Sequence, residues 1–140
     1  DVLKGATGQL GFEYINSRNP AVYVATGTGA ARRATNGLVI GMGADAAQAR
    51  TSLKSMIDAQ RLSALSAVRS GNAHGIWHGF NDSPLNVVFI EALARWLDPK
   101  TFADVSPQGT LDAINAQFAA VPYSGTFMVD LTPDRAGQKP

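Results

Sequence analysis

The sequence contains no cysteine and few charged residues. None of its 140 residues is a cysteine, so disulfide bridges and thiolate metal sites are excluded. Charged residues make up 16% of the chain, against about 25% in an average globular protein, and 45% of the residues are hydrophobic. Together with a length that suits a single core, this composition predicts one globular domain with a sparsely charged surface.

Long runs of one residue type are also missing. No apolar stretch approaches the roughly 20 residues that span a bilayer. The net charge is +1, and no basic run exceeds the pair Arg32-Arg33. Because nucleic-acid binding needs a basic stripe that displaces counterions from phosphates, we expect no nucleic-acid partner. The chain begins at Asp1 rather than at Met, which predicts a processed chain or a piece of a longer one.

Strand patterns alternate with helix patterns along the chain. They predict a helix near 9–18, a strand at 21–25 buried on both faces, a glycine-rich loop at 26–44 with an extended piece at 38–40, a helix capped by Asp45, a short helix or turn at 62–68, a strand at 73–78, helices that start at Ser83-Pro84 and Ser106-Pro107, and a last strand at 126–130. In the helix after Ser83, the residues Val87, Ile90, Ala94 and Leu97 form an apolar stripe that we expect to face the core. The alternation predicts an α/β fold with a small, mainly parallel sheet flanked by helices.

One loop combines aromatic and polar side chains. Trp77, His78, Phe80 and Asn81 follow the strand at 73–78. In open α/β sheets, ligands bind beyond the carboxyl ends of the strands, where such loops converge. Aromatic rings offer flat apolar area, while imidazole and amide groups offer directional hydrogen bonds. These residues are therefore candidates for a ligand site; the alternative is that Trp77 and Phe80 fill the core and His78 is only hydrogen-bonded within the protein.

A second loop, Gly27–Arg33, follows the strand at 21–25. Its glycines permit close approach of a ligand to the backbone, and Arg32 and Arg33 could pair with carboxylates. The loop resembles the start of a dinucleotide fingerprint, but Arg32 replaces the third glycine and the expected acidic residue does not follow. A nucleotide-binding enzyme domain remains an alternative at this point, as does a plain surface loop.

Catalytic and metal-binding patterns are not supported. His74 and His78 are four residues apart, but on an extended segment that spacing separates them by about 13 Å. A third zinc ligand is missing, and no GxSxG motif occurs. We expect a binding domain without enzymatic activity, cofactor or metal site.

Several stretches, in order, resemble one family. They are residues 10–15, 19–27, 71–78, 83–88, 97–99 and 102–105. Together they resemble the C-terminal lobe of the periplasmic binding proteins that deliver iron–siderophore complexes, or relatives such as corrinoids and haem, to ATP-driven importers. The resemblance extends over most of residues 8–131.

The resemblance implies two Rossmann-like α/β lobes joined by a long helix, with the ligand held in the cleft between them. Residues 1–131 would form the C-terminal lobe without its first strand and the linking helix, and residues 132–140 would be a polar tail. A lobe without its first strand would expose a sheet edge, which leaves dimerisation of the isolated lobe open. The implied location is the periplasm, or a lipid anchor outside the membrane.

The resemblance also assigns roles to single residues. Glu13 matches the acidic position that docks onto arginines of the membrane permease. Trp77, His78, Phe80 and Asn81 lie where the family lines its cleft. Arg32 and Arg33 lie in the other cleft loop but match no fixed family position. The implied function is the substrate-binding component of an ABC importer for ferric siderophores, whose iron is already coordinated by the chelator. A structural or assembly domain without ligand is a third alternative.

Overall fold

A computed structural model describes residues 8–29 and 37–131 of the chain. The helices are α1 (Phe12–Arg18), α2 (Ala46–Ala59), α3 (Ser66–Arg69), α4 (Asn86–Leu97) and α5 (Pro107–Gln117). The strands are β1 (Tyr23–Gly27), β2 (Gly41–Met42), β3 (Ala73–Trp77), β4 (Gly125–Thr126) and β5 (Met128–Asp130), and a 3₁₀ turn covers His78–Phe80. The predicted alternation of strands and helices is confirmed.

The main sheet has three strands in the order β1-β3-β5. β1 pairs with β3 in parallel, and β5 pairs with β3 in antiparallel orientation. A separate antiparallel pair joins β2 and β4. The α/β class is confirmed, and the small sheet is mixed because β5 runs antiparallel to β3 while β1 runs parallel to it.

β1 departs from its predicted burial. Thr26 is exposed, and Tyr23 and Val24 are only half-buried, so β1 is not covered on both faces. The physical reason is its place in the sheet: among the described residues, β1 is an edge strand with only β3 along its length. Residues in such a strand keep contact with solvent even where their sequence is apolar.

Helices cover both faces of the sheet. Successive side chains of β3 point to opposite faces, so Ala73 packs with one layer and Ile76 with the other. The first core cluster joins Ala73 to the buried face of α2, and the second joins Ile76 to α4 and α5. The indole of Trp77 packs against both clusters. The end of β3 therefore ties the two layers together.

Two predicted helix starts are confirmed in atomic detail. The Asp45 carboxylate accepts a hydrogen bond from the Gln48 backbone N–H at 2.9 Å and caps α2. The Ser106 hydroxyl accepts from the Gly109 N–H at 3.2 Å and caps α5, whose first residue is Pro107. Local sequence therefore determines where these helices begin.

The prediction for α4 was wrong in its start and in its buried face. The helix begins at Asn86, because residues 83–85 form a turn before it. The predicted inner stripe lies outside, with Val87, Ile90 and Leu97 exposed by 44%, 59% and 67%, while Val88 and Ala92 are buried. Because α4 is apolar around most of its circumference, hydrophobic periodicity could not select the face that packs on the sheet.

Candidate functional site

The candidate site lies where the two parallel strands end. The register of β1 and β3 places Gly27 beside Trp77 at their carboxyl ends. Loops that leave a parallel sheet at this edge are where α/β proteins bind ligands. We call residues 77–81, which leave β3 at this point, the rim loop.

Trp77 is the fixed part of the rim loop. Its ring makes edge-to-face contacts with the rings of Phe80 and Phe127, each at a centroid distance of 5.3 Å. The Tyr123 ring lies 6.5 Å away in a tilted arrangement. Edge-to-face geometry is the favoured arrangement of aromatic pairs, and it holds the half-buried indole in one orientation.

Two glycines enclose the indole of Trp77. A methyl group at Gly41 or at Gly79 would overlap its ring atoms. Gly41 also has a φ of 116°, which other residues rarely adopt. The sequence signals glycine-rich turns here, but nothing in it shows that two glycines 38 positions apart serve one side chain.

His78 and Asn81 present polar groups at the surface of the rim loop. Both residues are exposed. The Asn81 backbone N–H donates to the His78 carbonyl at 3.0 Å, and the Asn86 side-chain amide donates to the Asn81 carbonyl at 3.0 Å. The backbone is therefore held by its own hydrogen bonds while the imidazole remains exposed. An imidazole and a carboxamide together supply donors and acceptors for a polar ligand.

Phe80 lies beneath the rim rather than on it. Its side chain is fully buried in the second core cluster. The sequence left open whether Phe80 contacts a ligand or fills the core, and in the structure it fills the core. A 3₁₀ turn directs its ring inward toward Trp77. The structure thus places Trp77, His78 and Asn81 at the surface of one loop and Phe80 as its support. Arg32 and Arg33 lie outside the described residues.

Sequence reasoning missed two side chains near Trp77. The Tyr123 ring approaches Trp77 from the segment before β4, where the Asn115 side chain bonds the Tyr123 backbone N–H at 2.8 Å and carbonyl at 3.0 Å. The Phe127 ring, between β4 and β5, lies 5.3 Å from that of Trp77. Both come from distant parts of the chain, so residue spacing around 77–81 could not reveal them.

Glu13, the predicted docking residue, is exposed in the first turn of α1. Within the described residues, no salt bridge holds its carboxylate. Exposure agrees with what a docking carboxylate needs, and a carboxylate is favourable at a helix N-terminus. The docking role itself stays a prediction.

The Gly27–Arg33 loop shows a packing role for its first glycine. Gly27 is buried, and a methyl group there would overlap the backbone carbonyl of Leu38. The close approach that this glycine permits is therefore to its own chain and not to a phosphate. This contact means that Gly27 gives no support to the nucleotide alternative.

His74 has a partner of its own at the opposite end of β3. Its Nδ1 lies 2.7 Å from a carboxylate oxygen of Asp130, and its ring stacks on that of Trp96 at 4.4 Å with an angle of 9°. His74 and Asp130 face each other in the antiparallel pair without exchanging backbone hydrogen bonds, which brings their side chains close. The hydrogen bond with His74 lowers the pKa of Asp130, against a smaller opposing effect of burial.

The described residues contain no group of three side chains that could hold a metal ion. Within the same residues, no helix combines the length and apolarity that crossing a membrane requires. Both statements concern residues 8–29 and 37–131 only.

Comparison with known proteins shows a likeness to a solved structure. No family model and no curated protein sequence matches the chain. Among solved structures, the TroA-like periplasmic binding protein FepB from Veillonella parvula matches with a TM-score of 0.86 and 23% sequence identity. The chain has the fold of part of a TroA-like periplasmic binding protein. The match covers 94% of this chain but only 38% of FepB, so the chain spans well under half of that protein's length.

The likeness to FepB confirms the predicted family resemblance at the level of the fold. The shared fold includes the small sheet between helical layers. At this sequence identity it does not transfer a ligand or a partner.

Proposed function

We propose that this chain is one lobe of a periplasmic substrate-binding protein and contributes one wall of the cleft that binds a ferric siderophore. The observation that carries the proposal is the joint position of Trp77, His78 and Asn81 at the carboxyl end of the parallel strands, in a fold shared with a periplasmic binding protein. Phe80 is not part of the contact surface, because its ring is fully buried.

The chemistry of the rim loop suits a large metal chelate. The indole of Trp77 offers an apolar face for the organic rim of the chelator, and His78 and Asn81 offer hydrogen bonds to its oxygen atoms. A chelator that already satisfies its iron needs no protein ligand. A ferric chelate of this kind would be bound by shape, stacking and hydrogen bonds alone.

The test uses two substitutions at the rim loop and one matched control. Affinity for a ferric hydroxamate such as ferrioxamine is measured by fluorescence or calorimetry on the longer binding protein that contains this chain. The double variant Trp77→Phe and His78→Ala should weaken binding at least tenfold, because stacking area and a hydrogen bond are both lost. Gln117→Ala, at an exposed site on α5 that lines neither the rim loop nor the pocket, should leave affinity unchanged. Unchanged affinity in the double variant would show that the rim loop is not the binding site. If the unsubstituted protein bound none of the ferric chelates tested, the alternative of a structural domain without ligand would be favoured.

We further propose that Glu13 docks onto basic residues of an ABC permease. Its exposed carboxylate in the first turn of α1 supports this role. Glu13→Arg should reduce the stimulation of the importer's ATPase by the loaded binding protein, since like charges would then meet. Asp112→Arg, a charge reversal on the exposed face of α5, is the control and should not reduce it. An equal loss in both variants would indicate a general charge effect and not a docking contact.

A further inference from the structure

A pocket opens beside the free edge of β5, away from the rim loop. Its volume is about 370 Å³, roughly that of a dozen water molecules. We call it the edge pocket, and its principal lining residues are Arg50, Arg95, Trp96, Gln108, Met128 and Asp130. None of the rim-loop residues 77–81 lines it.

The pattern of β5 hydrogen bonds directs backbone groups into this pocket. The Trp77 N–H donates to the Phe127 carbonyl and the Leu131 N–H to the Ala73 carbonyl, so odd-numbered residues of this segment bond to β3. In an antiparallel pair the intervening residues turn their N–H and C=O groups the other way. Met128 and Asp130 therefore point these groups away from β3, and no described strand pairs with them.

Two guanidinium groups line the edge pocket, each from a helix on a different face of the sheet. Arg95 on α4 is held in place because its Nη1 donates to the carbonyls of Ala103 and Val105, at 3.3 and 2.6 Å. Its remaining N–H donors have no partner among the described residues. Arg50 on α2 is exposed, and its side chain makes no hydrogen bond within that part of the chain. Both arginines thus offer donors to whatever enters.

The carboxylate in the pocket is already engaged. Asp130 accepts from His74 at 2.7 Å, a contact that occupies one of its two oxygens. The His74 ring in turn stacks on Trp96, whose indole also lines the pocket. Asp130 keeps its negative charge, so two guanidinium groups face one carboxylate among these lining residues and leave a net positive charge that attracts an anion.

We propose that the edge pocket binds a small organic carboxylate. Guanidinium groups match planar carboxylates through paired N–H donors, which favours a carboxylate over a compact ion. The pocket is several times larger than one such group, and the indole of Trp96 can cover the carbon skeleton of the ligand. This site is independent of the rim loop and of the proposed transport function.

The two tryptophans permit a direct test by NMR of their indole N–H groups. Trp96 lines the edge pocket and Trp77 belongs to the rim loop, so each reports on one site. Citrate, titrated into the chain at constant ionic strength, should shift the Trp96 signal with a Kd of about 1 mM and leave the Trp77 signal in place. Inorganic phosphate should bind at least fivefold more weakly, because it lacks a planar carboxylate and a carbon skeleton.

Arg50→Gln provides the decisive variant, because Arg50 lines the pocket and its side chain is exposed and outside both core clusters. It should weaken citrate binding at least fivefold, whereas Arg69→Gln, at another exposed helical arginine outside the pocket, should not. Three results would each overturn the proposal: no Trp96 shift with citrate, equal effects of the two variants, or phosphate binding as tightly as citrate. A Trp77 response to a metal chelate would bear only on the proposed transport function.

Discussion

The rim loop and the edge pocket lie near opposite ends of one strand and are held by different forces. Trp77 ends β3 and is fixed by aromatic contacts and by two glycines. His74, three residues earlier on β3, is fixed by a hydrogen bond to Asp130 and by stacking on Trp96. The comparison shows that aromatic packing fixes Trp77 in the rim loop, whereas a hydrogen bond to a charged group fixes His74 beside the edge pocket. Substitutions at the two places should therefore differ in size and in pH dependence.

The largest expected effect is on stability at the rim loop. Trp77→Ala should lower the free energy of unfolding by about 3 kcal/mol, because the indole packs against both core clusters and its loss leaves a cavity. Urea denaturation followed by circular dichroism measures this loss. If the urea concentration at the unfolding midpoint equalled that of the unsubstituted chain, the packing of Trp77 against both core clusters would contribute nothing to stability.

A smaller loss is expected when a glycine beside Trp77 is changed. Gly41→Ala should cost about 2 kcal/mol, since the new methyl group overlaps the indole and the backbone is strained at a φ of 116°. Gly43→Ala is the matched control. Its φ of 72° is also positive, but no atom lies within 4 Å of the added carbon, so only about 1 kcal/mol should be lost. Equal losses in thermal or urea unfolding would mean that contact with the indole contributes nothing.

At the edge pocket the expected loss depends on pH. Asp130→Asn should lower the free energy of unfolding by about 1 kcal/mol at neutral pH, a small value because the carboxylate is 69% exposed. The hydrogen bond with His74 lowers the pKa of Asp130 in the folded state, so the ionised carboxylate is favoured by folding. That contribution is present above the unfolded pKa of about 3.9 and is lost as pH falls through the folded value.

The measurement for Asp130 is a series of urea titrations between pH 7 and pH 2.5. The difference between the unsubstituted chain and Asp130→Asn should shrink below about pH 4. A difference that stays constant over this range would contradict the ionic character of the contact with His74. The same series on Trp77→Ala should show little change with pH, since no ionisable group is removed.

The smallest stability effect is expected at His78. Its side chain is exposed, so His78→Ala should change the free energy of unfolding by no more than about 0.5 kcal/mol. Circular dichroism during urea unfolding tests this directly. A loss comparable with that of Trp77→Ala would place the imidazole in the packing of the rim loop and remove it from the set of free ligand-binding groups.

The sequence predicts the elements of this fold better than their packing. Asp45 and Ser106 begin α2 and α5 as expected because a cap depends on neighbouring residues only. The buried face of α4 was not predictable, because its exposed stripe at Val87 and Ile90 is as apolar as its buried one. Strand order and the antiparallel direction of β5 depend on contacts between distant residues, which periodicity does not encode.

The same limit applies to the candidate site. Trp77, His78 and Asn81 could be selected from their position after a strand, and the structure places them at the surface of one loop. The fully buried Phe80 differs from them only through the turn that it occupies. The Gly41 contact with Trp77, and the pairing of His74 with Asp130 across 56 residues, emerge only in three dimensions.

The most direct test of the central claim is a titration with a siderophore that carries gallium(III), which replaces iron(III) without paramagnetic broadening. The indole N–H signals of Trp77 and Trp96 are followed by NMR, which detects binding with a Kd as weak as about 1 mM. The proposed cleft wall predicts that a hydroxamate or catecholate chelate shifts the Trp77 signal in a saturable way and leaves the Trp96 signal in place. A Trp77 signal that stays fixed with hydroxamate, catecholate and carboxylate chelates alike would contradict it.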